Sequence, residues 1–231
     1  LDQQGFPFFS STSVETSPLF TDIDGNGYQD IIFADKGGNV YILDHLGKLR
    51  DGFPLALEGD IGGVAVADID LDGVLDLAIT LFNKKIIVYD VNGQLKWSRN
   101  IDGFITSMPA IGNLDDSPQK EIVFGANNQT LYALHHDSTD VSGFPVNVGQ
   151  NIRSGVSLAD LNGDGKDAIV FGGWGNQLSI LNPDGTVMAG WPQSTSGTIS
   201  SEPYVIVTGE DSAIVLVAND RGDMYGFDLD G

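Results

Sequence analysis

Short apolar runs separated by polar, glycine-rich turns recur along the whole chain. The runs at 31–35 and 40–44 are two of them, and both are rich in the β-branched and aromatic residues that favour strands. No helical periodicity competes with this pattern. We therefore predict an all-β protein with strands at 17–21, 31–35, 40–44, 53–57, 64–67, 77–81, 86–90, 95–99, 107–111, 122–126, 131–134, 144–148, 155–159, 169–172, 178–181, 191–193, 204–207, 214–218 and 224–228.

The predicted strands fall into repeats. An acidic loop returns at Asp22, Asp68, Asn113 and Asp160, a spacing of about 45–47 residues that is typical of four-stranded propeller blades. A second marker runs in phase with it, as Gly-Phe-Pro at 5–7, 52–54 and 143–145, as Gly-Trp-Pro at 190–192, and as Trp97 in the remaining repeat. The predicted repeats span approximately 15–59, 60–103, 104–149, 150–197, and 198–231 plus 1–14.

The two ends of the chain indicate how the repeats close. The chain stops after a third strand and begins with what reads as a fourth, because residues 1–7 resemble residues 43–54. We predict that the amino-terminal strand closes the last blade and leaves no free sheet edge. Residues 1–231 would then form a single domain, a five-bladed β-propeller of four-stranded antiparallel blades. A segment of a larger ring is the alternative.

The acidic loop has the chemistry of a calcium site. Oxygen side chains occupy its first, third, fifth and ninth positions, and glycines at the fourth and sixth allow the chain to turn sharply. Hard oxygen ligands in this number suit Ca²⁺, and the seventh residue offers its backbone carbonyl. The predicted ligands are Asp22, Asp24, Asn26, Tyr28 and Asp30 in the first loop, Asp68, Asp70, Asp72, Val74 and Asp76 in the second, and Asp160, Asn162, Asp164, Lys166 and Asp167 in the fourth.

Two other interpretations apply to such loops. An EF-hand needs an acidic twelfth residue and flanking helices, whereas the twelfth residues here are Phe33, Ile79, Phe124 and Phe171. Plain Asp/Gly turns without a metal are the second interpretation. Recurrence of the pattern in register favours a metal over chance. The third loop at 113–121 is a weaker copy with Pro118 in place of a glycine, and occupancy of this loop and of the loop at 160–168 stays open.

The loops and the apolar runs that follow them resemble the FG-GAP or VCBS repeats of integrin-α-like propellers. The resemblance covers essentially the whole chain and is most specific in the loops at 22–30 and 68–76. It implies a propeller in which Ca²⁺ lies between the first two strands of a blade. For such an ion we expect a structural role, because Ca²⁺ lets several carboxylates crowd into one hairpin.

Composition narrows the class of partner. The 32 acidic and 11 basic residues give a net charge of −21, which argues against nucleic acid and anionic lipid. No apolar run approaches the roughly 20 residues of a spanning helix, so we expect no membrane insertion. The chain opens at Leu1 without Met and shows no signal peptide, and we expect a mature product or an excised domain, either a monomer or part of a larger surface protein. It lacks cysteine, which excludes a disulfide framework and a thiolate metal site. Weak calcium loops fill best outside the cell, which predicts an extracellular or cell-surface location.

No motif identifies an active site. The chain contains no Gly-x-Ser-x-Gly elbow, His-Glu-x-x-His helix or phosphate-binding loop.

The turns between second and third strands carry a possible ligand face, although Asn and Gly are also ordinary turn residues. We predict a calcium-stabilised extracellular binding or adhesion module that recognises a protein or glycan. The alternative is a polysaccharide lyase or hydrolase, or a non-catalytic domain of one. The residues of the possible ligand face are Trp174, Asn39, Asn128, Asn176 and Arg221.

Overall fold

The computed structural model describes residues 5–14, 16–209 and 212–231. Across these ranges the chain forms strands and no helix, so no described helix could span a membrane. The first sheet contains β1 (Leu19–Thr21), β2 (Asp30–Ala34), β3 (Asn39–Leu43) and β4 (Leu55–Ala56). The second contains β5 (Ile61–Ala67), β6 (Asp76–Leu81), β7 (Lys85–Asp90) and β8 (Leu95–Asn100).

The remaining strands form three further sheets. The third sheet contains β9 (Ala110–Gly112), β10 (Glu121–Gly125), β11 (Thr130–Leu134) and β12 (Val146–Asn147). The fourth contains β13 (Val156–Ala159), β14 (Ala168–Gly172), β15 (Gln177–Leu181) and β16 (Gln193–Ser194). The fifth contains β17 (Tyr204–Gly209), β18 (Ser212–Ala218) and β19 (Met224–Phe227). Each predicted strand overlaps an observed one, which confirms the all-β prediction.

The sheets are antiparallel meanders of three or four strands, as expected for propeller blades. The first strands β5, β9, β13 and β17 contact one another in succession, so they lie innermost. Four apolar clusters fill the spaces between successive sheets. The second strands β6, β10 and β14 are buried along their whole length because apolar side chains cover both of their faces.

The predicted closure of the last blade by the amino-terminal strand is not found among the described residues. Residues 5–14 lie on the first sheet, where the ring of Phe8 packs 5.9 Å from Phe33 and 5.6 Å from Tyr41. The fifth sheet has three strands in the part of the chain that the structure describes, and residues 1–4 lie outside that part. Closure into a ring of five blades therefore stays a prediction.

The Gly-Phe-Pro segments share one position relative to the sheets. The backbone of Gly143 lies against the Asp184 carbonyl, in the turn after the third strand of the following sheet. Gly5 lies in the same way against the Leu46 carbonyl of the first sheet, at a positive φ of 83° that favours glycine. Each of these segments thus packs on the sheet that follows it in the chain, although the copies at 52–54 and 143–145 lead into β4 and β12, the fourth strands of the preceding sheets. A fourth strand of the last sheet would contact the first sheet in the same way, so the position of the copy at 5–7 does not contradict the predicted closure.

The carboxylate of Asp35 organises the turn between β2 and β3. It is buried and accepts hydrogen bonds from the Tyr41 hydroxyl at 2.9 Å and from the backbone N–H groups of Gly37 and Asn39, both at 3.0 Å. Burial disfavours the charged form, but the hydrogen bonds from Asn39, Tyr41 and Thr12 outweigh it and lower the pKa of Asp35. The ionised carboxylate is therefore part of the folded structure.

Replacement of this group should destabilise the fold in a pH-dependent way. We expect Asp35→Ala to lower the free energy of unfolding by about 2 kcal/mol at neutral pH, because buried donors lose their acceptor. A folded pKa below the ordinary value gives stability that is present above that value and lost as the pH falls through the folded pKa. Urea denaturation should show the deficit shrinking in acid. Asp102→Ala, at an exposed site, is the control; an equal loss for both variants would contradict the prediction.

Candidate metal loops and ligand face

The first acidic loop joins β1 to β2 and gathers three carboxylates. Oxygens of Asp22, Asp24 and Asp30 all lie within 4.8 Å of one another. The Gly27 backbone N–H donates to Asp22 Oδ2 at 2.7 Å, and the Ile23 N–H donates to Asp30 Oδ2 at 3.0 Å. Burial, and then the negative charges of Asp24 and Asp22, raise the pKa of Asp30. The carboxylates are thus held together at an electrostatic cost that a bound cation would relieve.

The other two predicted ligands of this loop take part in its turn. Asn26 Oδ1 accepts the Tyr28 backbone N–H at 2.8 Å, which folds the residues between them into a tight turn. The Tyr28 ring is exposed and stacks on His45 at a centroid distance of 4.2 Å. Carboxylate, amide and carbonyl oxygens are the donors that Ca²⁺ prefers, so the residues present fit this ion.

The second loop, between β5 and β6, differs from the first because the cationic side chain of Lys96, on β8, lies among its carboxylates. Oxygens of Asp68, Asp70 and Asp76 lie within 4.8 Å of one another. The Lys96 ammonium forms ion pairs with Asp70 at 2.7 Å, Asp72 at 3.0 Å and Asp76 at 2.9 Å. Burial opposes the charge of Lys96, but these carboxylates together raise its pKa. Asp68 Oδ1 is buried and accepts no hydrogen bond.

In the fourth loop the predicted residues are only partly brought together. The carboxylate of Asp160 accepts backbone hydrogen bonds from Gly163 at 2.7 Å and Gly165 at 2.9 Å, and the bonds from Gly165, Gly163 and Asn162 lower its pKa. Asn162 Nδ2 donates to Asp164 Oδ2 at 3.0 Å. Asp167 points elsewhere, and its Oδ2 accepts the Asn113 backbone N–H of the third loop at 2.8 Å.

The seventh residue of the fourth loop also turns its side chain towards the third. The Lys166 ammonium pairs with Asp116 at 2.8 Å, while the predicted ligand atom of Lys166 is its carbonyl oxygen. No three-carboxylate cluster forms in the fourth loop among the described residues. This loop is therefore a weaker candidate than the first two.

A histidine that the sequence interpretation did not assign to the third loop lies beside it. Ligand atoms of Asp115, Glu121 and His135 lie within 4.8 Å of one another, with His135 Nδ1 3.5 Å from Glu121 Oε1. His135 follows β11 directly, at the position that holds Asp44 and Asp90 in the first two repeats. Alignment of the turns after the third strands would have identified this exception.

The predicted ligand face lies at the opposite ends of the strands. Two of its residues serve the fold, since the Asn39 amide donates to Asp35 at 3.0 Å and the Asn128 amide donates to the Asp102 carbonyl. Trp174 is 54% exposed, and the guanidinium carbon of Arg153 lies 4.4 Å from its ring centroid. Exposed positions are also held by Asn176 and Arg221.

A cavity of about 500 Å³ opens at the same end, and the sequence interpretation did not identify it. Its walls come from all five repeats, because the residues that precede the first strands converge there. Arg153 lines the cavity and lies over the Trp174 ring outside it. The Phe82 ring in the cavity wall stacks on Phe104, with ring centroids 4.9 Å apart. Burial raises the pKa of Glu202 in this wall. The lining includes Thr16, Asp60, Phe82, Thr106, Arg153 and Glu202.

Comparison with known proteins supports this architecture. The family described as an FG-GAP-like repeat matches residues 22–79, which contain the first two acidic loops. A sequence comparison with curated proteins finds no significant match.

This chain spans less than two thirds of the length of each of three solved structures with similar folds. BBS1N in its complex with ARL6DN has a TM-score of 0.68 at 11% identity, over 90% of this chain and 63% of that one. BamB from Moraxella catarrhalis has a TM-score of 0.62 at 15% identity, over 95% of this chain and 62% of that one. The V. cholerae biofilm matrix protein Bap1 has a TM-score of 0.59 at 19% identity, over 91% of this chain and 41% of that one. At these identities the likeness shows the fold alone. The chain thus has a β-propeller-like fold, and its residues 22–79 form an FG-GAP-like repeat.

Proposed function

We propose that this protein is a calcium-stabilised extracellular binding or adhesion module that recognises a protein or glycan at the cavity end of its strands. The observation that carries the proposal is the division of the molecule into two ends. Carboxylates converge at one end of the sheets, and at the other the exposed rings of Phe82, Phe104 and Trp174 lie in or beside the wall of a cavity. One end would hold the fold together, and the other would meet the ligand.

At the first end, the first loop would bind the ion through Asp22, Asp24, Asn26 and Asp30 together with the Tyr28 carbonyl. Bound Ca²⁺ neutralises converging carboxylates and fixes the connection between two strands. The second loop would use Asp68, Asp70, Asp72, Val74 and Asp76, and the fourth would use Asp160, Asn162, Asp164, Lys166 and Asp167. An extracellular location is proposed because loops of this kind fill where Ca²⁺ is plentiful.

At the second end, Trp174, Phe82 and Phe104 present ring surfaces on which a sugar or an apolar side chain can stack. Arg153, which lies over the Trp174 ring, adds a hydrogen-bond donor and a positive charge at the rim of the cavity. Polar groups beside aromatic faces are the usual composition of such recognition sites. A closed ring of five blades would bring all of these groups around one axis.

Removal of the exposed tryptophan should weaken ligand binding selectively. We expect Trp174→Ala to raise the dissociation constant for a recognised ligand by about tenfold, because exposed aromatic anchors carry much of the binding energy. Binding to immobilised neutral and acidic oligosaccharides and to extracellular-matrix proteins measures the effect. Val187→Ala, at an exposed position of the same repeat outside this face, is the matched control. Equal binding by both variants and the wild type would exclude Trp174 from the ligand site.

One observation favours the second candidate, a polysaccharide lyase or hydrolase. Asp60, Arg153 and Glu202 line the same cavity, and burial raises the pKa of Glu202 as a proton donor requires. Incubation with each oligosaccharide that binds, followed by assay for new reducing ends and for unsaturated products, decides between the two. Cleavage that Glu202→Gln abolishes would establish the enzyme. Binding without cleavage would support the binding module.

A further inference from the structure

The geometry points to Lys96 as a built-in cation of the second loop, one that takes the place of a divalent ion there. The second loop is then ordered without Ca²⁺ and binds it only by releasing Lys96, whereas the first loop depends on the ion. This inference rests on the proposed calcium function, and it identifies a residue that makes two loops with carboxylates at the same first, third and ninth positions respond differently to calcium.

The contacts of the ammonium group support this assignment. Lys96 lies on β8, the fourth strand of its blade, and its side chain is only 21% exposed. Its nitrogen is 2.7 to 3.0 Å from oxygens of Asp70, Asp72 and Asp76, the third, fifth and ninth residues of the loop. The Asp76 side chain is 1% exposed, so this ammonium is the neutralising group at a carboxylate that water scarcely reaches.

The ammonium does not satisfy all the carboxylates of the loop. It donates hydrogen bonds to Asp70 and Asp72 and forms an ion pair with Asp76. Buried oxygens of Asp68 and Asp76 have no hydrogen-bond partner, and Asp68, at the first position, has no ion pair with Lys96 either. A divalent ion bound by the whole loop would take Asp68 as well, but it must first displace Lys96 from the other three. The apparent affinity of the loop for Ca²⁺ falls by the fraction of molecules in which Lys96 has moved away.

The other repeats place a different residue at the position of Lys96. Arg50, Val141 and Met188 occupy the corresponding place, since the backbone N–H of each donates to the third strand of its own sheet, at Ile42, Ala133 and Ile180. In the part of the chain that the structure describes, Arg50 forms no ion pair with the carboxylates of the first loop. The charge of Arg50 acts to lower the pKa of Asp30 without an ion pair, whereas Lys96 pairs directly with three carboxylates. The first and second loops therefore share carboxylates at the first, third and ninth positions and differ in this direct pairing and in the fifth residue, Asn26 or Asp72.

The decisive variant is Lys96→Met, which installs the residue that the fourth repeat has at this place. Calcium titration calorimetry and thermal unfolding, in Ca²⁺ and in chelator, are performed on the full chain. We expect the variant to bind one more Ca²⁺ than the wild type at low ion concentration, with a dissociation constant for the second loop about tenfold lower. We also expect its Tm in chelator to fall and to be restored by Ca²⁺. Lys96→Arg, which keeps the charge, should bind as many ions as the wild type.

Arg50→Met is the matched control at the corresponding position of the first repeat, and it should leave the number of bound ions unchanged. The same ion count and affinity for Lys96→Met and the wild type would overturn the inference. A variant that folds only with Ca²⁺ would support it; if Lys96→Met folds in neither condition, Lys96→Gln is measured in its place and interpreted identically. A wild type without bound Ca²⁺ and a Lys96→Met variant that binds one ion would refute calcium stabilisation of the native protein and uphold the role of Lys96.

Discussion

Calcium is expected to raise the free energy of unfolding by about 2.7 kcal/mol for each loop whose dissociation constant it exceeds 100-fold. The first loop should contribute most clearly, because Asp22, Asp24 and Asp30 converge there without an ion pair to a basic side chain among the described residues. Thermal unfolding in Ca²⁺, in Mg²⁺ and in chelator, together with a count of bound metal, measures the effect. Mg²⁺ should substitute poorly because it demands a tighter octahedral shell.

A single substitution connects this effect to the first loop. Asp24→Asn removes one negative charge from the cluster and should reduce the difference in Tm between Ca²⁺ and chelator. Asp184→Asn, in a turn of the fourth repeat whose carboxylate accepts the Thr186 N–H at 3.0 Å, is the control. It should change stability equally in both conditions. Equal stability of the wild type in Ca²⁺, Mg²⁺ and chelator would contradict calcium stabilisation, and the loops would then be turns only.

Local patterns were sufficient to predict the strands and the acidic loops. The burial of a short strand can be predicted from its own sequence, as for β10 (Glu121–Gly125), which contains the apolar run 122–124. The convergence of Asp22, Asp24 and Asp30 likewise follows from turns within nine consecutive residues. These features needed no knowledge of the neighbouring sheets, and the structure agrees with them.

Features that depend on contacts between distant residues were not predicted. Packing of Gly5 against the Leu46 carbonyl sets the segment at 5–7 against the first sheet, and the sequence pattern did not show this contact. Lys96 lies 20 residues from Asp76 in the sequence, and only the register of β8 in its sheet brings the two together. The cavity at the ends of the first strands has the same origin, since each repeat supplies a small part of it.

The side chain of Phe124 illustrates how the acidic loops connect to the core. It occupies the twelfth position counted from Asn113, where an EF-hand would need an acidic ligand. It is 0% exposed and stacks on Tyr132 with ring centroids 5.3 Å apart. The cluster around it combines residues of the second sheet, such as Ile86, with residues of the third, such as Ile122. Phe124 therefore joins two successive sheets.

Phe124→Ala is expected to lower the free energy of unfolding by about 3–5 kcal/mol, because the loss of a buried aromatic ring combines lost transfer free energy with a cavity between two sheets that cannot collapse. Phe20→Ala is the matched control, since Phe20 lies on β1 with its side chain 59% exposed and should cost less than about 0.5 kcal/mol. Guanidinium denaturation of both variants is performed in the presence of Ca²⁺, so that the acidic loops have the same calcium occupancy in the two measurements. Equal losses would mean that the second and third sheets do not depend on this ring, which would contradict a core divided into clusters between successive sheets.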